Sequence, residues 1–181
     1  MALTPPPEVQ QAVWQVFTQL RERAYPVKWL PAEAIHATLK FLGEVEEARV
    51  PDLVRSLGEA VTGARVVTLV VKGAGAFPDP HRPRVFWAGI APDPALEILA
   101  DRVERVFAPL GFPTEARPFH PHLTLGRAAR NARPRDFAGM AEALESIALE
   151  VSAVIDGVDL MHSMLGPGGP AYKGIRRERL S

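Results

Sequence analysis

The chain has 181 residues, 47% of them apolar and 23% charged, which are the proportions of a folded protein and not of a disordered one. Its 21 basic residues balance 21 acidic ones, so no long-range field draws in nucleic acid and any polyanion must be held by a local patch. Cysteine is absent, which excludes disulfides, thiolate nucleophiles and Cys-ligated metal sites.

The opening segment MALTPPPEV has neither the basic nor the apolar region of a signal peptide. The longest apolar run, 66–71, is far too short to span a bilayer, so a cytoplasmic protein without membrane contact is expected. Val9, Val13, Val16, Phe17 and Leu20 then recur at helical spacing behind Pro5–Pro7. Strand-like runs follow at 27–30 and 35–41. A second helix carries Leu53, Val54, Leu57 and Val61 behind Pro51 and stops at Gly63. Strands at 66–72 and 85–90 flank a proline-rich loop, 76–84. Asp93-Pro94 is a cap and first-turn pair for a third helix through Leu96, Leu99, Val103, Val106 and Phe107, with Gly111 beyond its end. A loop over 110–121 leads to a strand at 122–126, and Phe137, Met140, Ala141 and Leu144 make a shorter fourth helix. Strands at 149–155, 158–165 and 171–177 close the chain, the last two separated by GPGGP at 166–170. Helices interspersed with paired strands, and no linker, predict one α+β domain over 1–181. The βα alternation is too irregular for a doubly wound sheet, and there is no Gly-rich phosphate fingerprint or Walker motif.

One internal echo stands out. Residues 35–41 read Ile-His-Ala-Thr-Leu-Lys-Phe and residues 121–127 read Pro-His-Leu-Thr-Leu-Gly-Arg, so His-x-Thr-Leu occurs twice, 86 positions apart. That spacing is near half the chain and suggests two related lobes, each contributing one strand. Alternation on a strand places His36 with Thr38, and His122 with Thr124, on one face. Ala37, Leu39, Leu123 and Leu125 then point to the core. Two such strands facing each other would bring two imidazoles and two hydroxyls to one cleft. Phosphoryl chemistry needs that set. In-line displacement removes a proton on the entry side and delivers one on the exit side, and histidine titrates in the right range for both. Threonine hydroxyls can hold the non-bridging oxygens. A lone His-x-Thr is commonly accidental; two copies with matching leucines in matching contexts are not.

HATLKF at 36–41 and FHPHLTLGR at 119–127 resemble the paired motifs of the 2H phosphoesterase superfamily, and most of all its bacterial and archaeal RNA 2′,3′-cyclic phosphodiesterases, also called 2′–5′ RNA ligase-like. FLGEV at 41–45, the stretch 77–90, Ser163 and the segment ending at Tyr172 agree with the resemblance. It implies a bilobal fold with pseudo-two-fold symmetry, antiparallel sheets lining a central cleft and helices outside. It carries the catalytic histidines over to His36 and His122, the phosphate-binding threonines to Thr38 and Thr124, and a phosphate-side arginine to Arg127. Members of that family open a 2′,3′-cyclic phosphate to a 2′-phosphate, so O3′ leaves; His36 would protonate it and His122 would activate water. Neither a metal nor another cofactor is implied, the partner is an RNA end, and a monomer is expected. Relatives begin with a short strand ahead of an ALTPPP-like segment. This chain starts at Met1-Ala2-Leu3, so a strand near 158–165 is expected to lack a pairing partner.

Other residues carry open readings. Arg127 needs a bulge or a strand end to share the face of His122. Lys40 either faces the cleft mouth or is an ordinary solvated lysine. Phe41 is expected in the core more than on a base, and so is Trp87; Tyr172 is a further stacking candidate. His120 either helps contact substrate or lies at the cleft rim, because a His-Pro-His metal pair would lack a carboxylate or a cysteine. His81 and His162 default to structural or surface roles. Arginine outnumbers lysine 17 to 4. Arg82, Arg84, Arg127, Arg130, Arg133 and Arg135 make either an RNA-binding surface or a solvated loop. Two alternatives to the hydrolase stand beside it: a 2′–5′ RNA ligase acting on 5′-hydroxyl and cyclic phosphate ends, and a non-catalytic RNA-end binding module.

Overall fold

Prolines start the helices. In the computed structural model, which describes residues 1–166 and 169–181, α1 (Pro7–Val16), α3 (Val50–Val61) and α4 (Pro94–Phe107) each carry proline in their first two positions, where no intrahelical N–H is lost. Asp93 Oδ1 accepts the Leu96 N–H at 2.9 Å and caps α4, which buries Leu96, Leu99, Val103 and Phe107. The first helix is shorter than its periodicity predicts. It breaks at Phe17, and α2 (Thr18–Glu22) continues beyond the break. Arg21 explains the break: its guanidinium donates to the Trp14 carbonyl freed at the end of α1, and it lies over the Trp14 ring at 3.4 Å from the centroid. The fourth helix is likewise divided, into a 3₁₀ turn at Pro134–Phe137 and α5 (Met140–Glu145), with Gly139 between them at φ +77°.

The strands are β1 (Ala2–Leu3), β2 (Val27–Trp29), β3 (Ala37–Thr38), β4 (Val67–Phe77), β5 (Val85–Ile90), β6 (His122–Ala128), β7 (Glu150–Ile155), β8 (Gly157–Gly166) and β9 (Gly169–Arg179). Among the described residues they form one antiparallel sheet in the order β7-β4-β5-β6-β3-β1-β8-β9, with β2 also paired to β6. The α+β class holds, and β3 and β6 lie side by side in the middle of the order. The strand expected to be missing is present in two residues: Ala2 pairs with both Thr38 and Asp159, so β8 keeps its neighbour. The loop expected from 76 begins inside β4. Of the GPGGP segment, Gly166 pairs with Gly169 and belongs to the β8–β9 hairpin, and Pro167 and Gly168 lie outside the described residues. Ala37, Leu39, Phe86, Ala88, Leu123 and Leu125 sit in one core cluster with the buried faces of α1, α3 and α4.

Lys40 is neither at a cleft mouth nor solvated. The N–H groups of Leu39 and Lys40 both donate to the Met1 carbonyl, at 2.9 and 3.3 Å, which is the signature of an extra residue in the strand. The bulge turns Lys40 inward, where it is 3% exposed and Nζ lies 2.5 Å from Glu104 Oε2 and 2.8 Å from the Pro113 carbonyl. These two bonds tie the end of β3 to α4 and to the loop that leads into β6. Lys40→Met strands the Glu104 carboxylate and is expected to cost about 3 kcal/mol in urea denaturation, while Lys40→Met/Glu104→Leu should recover most of it. A single-variant loss within about 0.5 kcal/mol would mean that the pair behaves as a surface one.

Candidate active site

Two short strands carry the site. Ala37 pairs with Leu123, and the same antiparallel register sets His36 beside Thr124 and Thr38 beside His122. Ala37, Leu39, Leu123 and Leu125 are buried at 1, 5, 0 and 3% exposure, so the two histidines and two threonines share the other face. The strands do not confront each other across a cleft, as the spacing alone suggests; they are hydrogen-bonded neighbours. That brings the four groups closer. His36 and His122 become diagonal neighbours, a relation that in antiparallel pairs sets residues roughly 7–8 Å apart, somewhat less between Cβ atoms.

Each ring is held in the same way. His36 Nδ1 lies 2.9 Å from the Ala34 carbonyl, and His122 Nδ1 lies 2.7 Å from the His120 carbonyl. A carbonyl only accepts, so Nδ1 carries the proton in both, and Nε2 is the nitrogen left for chemistry. The carbonyl comes from two residues upstream in each case. For His36 it ends a 3₁₀ turn at Ala32–Ala34; for His122 it precedes the proline at 121. Burial pushes both imidazole pKa values down, and the carbonyl bonds oppose the shift. At His122, His120 and Arg127 add to the lowering through their charge.

Aromatic rings wall the pair. Tyr172 meets His36 edge-on at 4.5 Å between centroids, and Phe77 meets His122 edge-on at 5.1 Å. Trp87 lies 5.2 Å from Phe77 and 6.5 Å from His122, on the face of Thr124 with which it pairs. It is therefore a wall of the site and not the core residue its VFWAGI context suggests; Phe86 beside it is the buried one. Trp87 spreads over Gly75, where a Cβ would stand 2.3 Å from the ring. Nothing in the sequence marks Phe77 for this place, because the proline-rich segment after it reads as loop.

The bulge that Arg127 needs is present. Trp87 pairs with Thr124 but Phe86 pairs with Gly126, so Leu125 is an extra residue in β6. Gly126 takes the tight place: a Cβ there would lie 2.9 Å from the Trp29 ring and 3.0 Å from the Lys28 carbonyl. The count shifts by one, and Arg127, opposite Val85, returns to the face of His122 and Thr124. Phe41 follows the equivalent bulge after β3 and is 76% exposed, against the expectation of core packing. His120 is exposed at the rim, and His81 and His162 are exposed on segments outside β3 and β6. Thr38 is exposed and Thr124 half-buried. Among the described residues no group of three or more His, Asp or Glu could hold a metal ion, and no helix is long and apolar enough to cross a membrane.

Two protonatable nitrogens, two hydroxyls and a guanidinium on one sheet face suit general acid–base displacement at an anionic phosphorus centre. The pattern of the family described as LigT like Phosphoesterase matches residues 3–87 and 90–172, one segment for each motif. The chain is 35% identical over 155 residues to an RNA 2′,3′-cyclic phosphodiesterase of Aeropyrum pernix, covering 83% of this chain and 84% of that one. It is 31% identical over 166 residues to one of Thermotoga maritima, covering 92% and 86%. Among solved structures, TT0787 of Thermus thermophilus superposes with a TM-score of 0.82 at 27% identity, covering 99% of this chain and 95% of that one. E. coli LigT crystallised with 3′-AMP gives 0.77 at 25% identity, with the same coverage.

Proposed function

The chain belongs to the LigT-like phosphoesterase family, and from that premise we propose that it is a hydrolase opening the terminal 2′,3′-cyclic phosphate of RNA in the cytoplasm to leave a 2′-phosphate. One observation carries the mechanism: both histidines commit Nδ1 to a backbone carbonyl and leave Nε2 free, on one face of two paired strands. Each half of the sheet, in this reading, is a lobe that presents one His-x-Thr motif. Water attacks phosphorus in line with the departing O3′. His122 Nε2 takes the proton from water as the P–O bond forms, and His36 Nε2 gives its proton to O3′ as the other P–O bond breaks. Thr38, Thr124 and Arg127 hold the non-bridging oxygens, whose charge persists through the transition state. Solvent exchange then returns both imidazoles to their starting forms. The same groups would serve ligation in reverse, with a 5′-hydroxyl in place of water.

Product analysis tests this reading. A short RNA with a 2′,3′-cyclic end should be opened in excess EDTA, and its phosphate should stay on O2′. A 3′-phosphate product would place the ribose the other way round. Activity lost to chelation and restored by a divalent ion would overturn the two-histidine route.

A further inference from the structure

Beyond the histidine pair, a shallow groove opens at the end of the sheet where β5 begins and β6 stops. Arg82, Arg84 and Arg133 line it, with Pro83 and Pro134 between them and Phe137 at its base. All three arginines are exposed, and among the described residues none of them meets a carboxylate. Arg105, Arg176 and Arg177, by contrast, each reach an acidic side chain at 2.9 Å or less. The two acidic residues near the groove are engaged by backbone. Asp79 Oδ1 accepts the His81 and Arg82 N–H groups at 2.8 and 3.0 Å, and Asp136 Oδ2 accepts that of Arg133 at 2.8 Å. Those turns, the two prolines and the bond from Ala128 N–H to the Arg84 carbonyl at 3.0 Å fix the backbone beneath the guanidiniums. Little backbone entropy is left to lose on binding an anion.

The groove lies beside the far end of β6. Arg127 pairs with Val85, next to Arg84, and with the bulge discounted stands four strand steps from His122, roughly 13 Å at strand rise. Lys28 pairs with Arg127 on the other side and is exposed. Lys28, Arg127 and the three groove arginines thus put five exposed cations near this end of the sheet, in a molecule with no net charge. We propose that this groove binds the phosphates of the RNA strand upstream of its cyclic end, so that the protein distinguishes an RNA strand from a lone cyclic nucleotide. Guanidinium forks suit phosphate oxygens, and a run of phosphates suits three of them in a row. The inference rests on the RNA-end reading above.

The test uses the full chain and a labelled single-stranded RNA of about 12 nucleotides with a 3′-hydroxyl, which cannot turn over. Arg82→Ala/Arg84→Ala/Arg133→Ala should weaken its binding about tenfold or more and flatten the log–log salt slope by about 2, at about 0.7 for each phosphate no longer neutralised. With cyclic-ended substrates, KM should rise for the oligonucleotide while cytidine 2′,3′-cyclic phosphate keeps its kcat and KM. Inorganic phosphate at matched ionic strength should not displace the RNA. An unchanged salt slope, equal KM changes for both substrates, or displacement by phosphate would each overturn the groove as an RNA site. Should the triple variant melt early, Arg133→Glu alone carries the same comparison. Failure of the wild type to open either cyclic substrate would remove the hydrolase reading, and the binding comparison would still decide the groove.

Discussion

His36→Ala and His122→Ala are each expected to lower kcat/KM on a 2′,3′-cyclic RNA end by about 10²–10⁴-fold, the usual contribution of a positioned general acid or base. Neither ring is a fold determinant: both are half-buried on the sheet face away from the core and hydrogen-bonded only to the local carbonyls of Ala34 and His120. The double variant should lose less than the product of the two single losses, because acid and base act in one transition state. The pH profile follows from the lowered pKa values. The base must be neutral and the acid protonated, so kcat/KM traces a bell. Burial moves both limbs to the acid side of ordinary histidine. A bound phosphodiester anion favours the imidazolium, so the limbs of kcat should lie above those of kcat/KM. Near-wild-type rates in either single variant, or limbs on the alkaline side of ordinary histidine, would contradict the account.

Thr38→Ala and Thr124→Ala should each lower kcat by about 10²–10³-fold, the typical loss of one preorganised donor to a developing charge. Thr→Ser at either position keeps the hydroxyl and should keep most of the rate. The unfolding midpoint should move little, since Thr38 is exposed and Thr124 half-buried, and neither belongs to the core cluster. If both alanine variants turn over at wild-type rates, the threonines are strand residues only and the phosphate is held elsewhere.

The site is legible in the sequence because its logic is local. His-x-Thr-Leu fixes side-chain parity over four residues, and Ala37, Leu39, Leu123 and Leu125 pack inward as that parity requires. Proline and Asp93 mark the helix starts for the same reason. What parity cannot foresee depends on distant partners. The neighbourhood of β3 and β6 joins segments far apart in the chain. The inward turn of Lys40 needs the Met1 carbonyl to accept two N–H groups and Glu104 to wait in the interior. Five of the seven residues expected in the strand at 35–41 lie outside β3, because a 3₁₀ turn precedes it and the bulge ends it. The β6 bulge does leave a trace, in the glycine at 126 that the Trp29 ring and Lys28 carbonyl demand. Trp87 misleads because its hydrophobic context is shared by both sheet faces, and only its partner Thr124 says which face it takes. Phe77 is hidden because β4 runs on into a segment whose prolines read as loop.

The claim that the two histidines do opposite work is tested most directly by a substrate that removes the need for one of them. A 2′,3′-cyclic end with sulfur in place of the bridging O3′ expels a thiolate that needs no proton on departure. His36→Ala should regain most of the wild-type rate on that substrate, while His122→Ala, which lacks the base for water, should stay as slow as on the oxygen substrate. Equal rescue of both variants, or rescue of His122→Ala alone, would contradict the assignment of acid to His36 and base to His122.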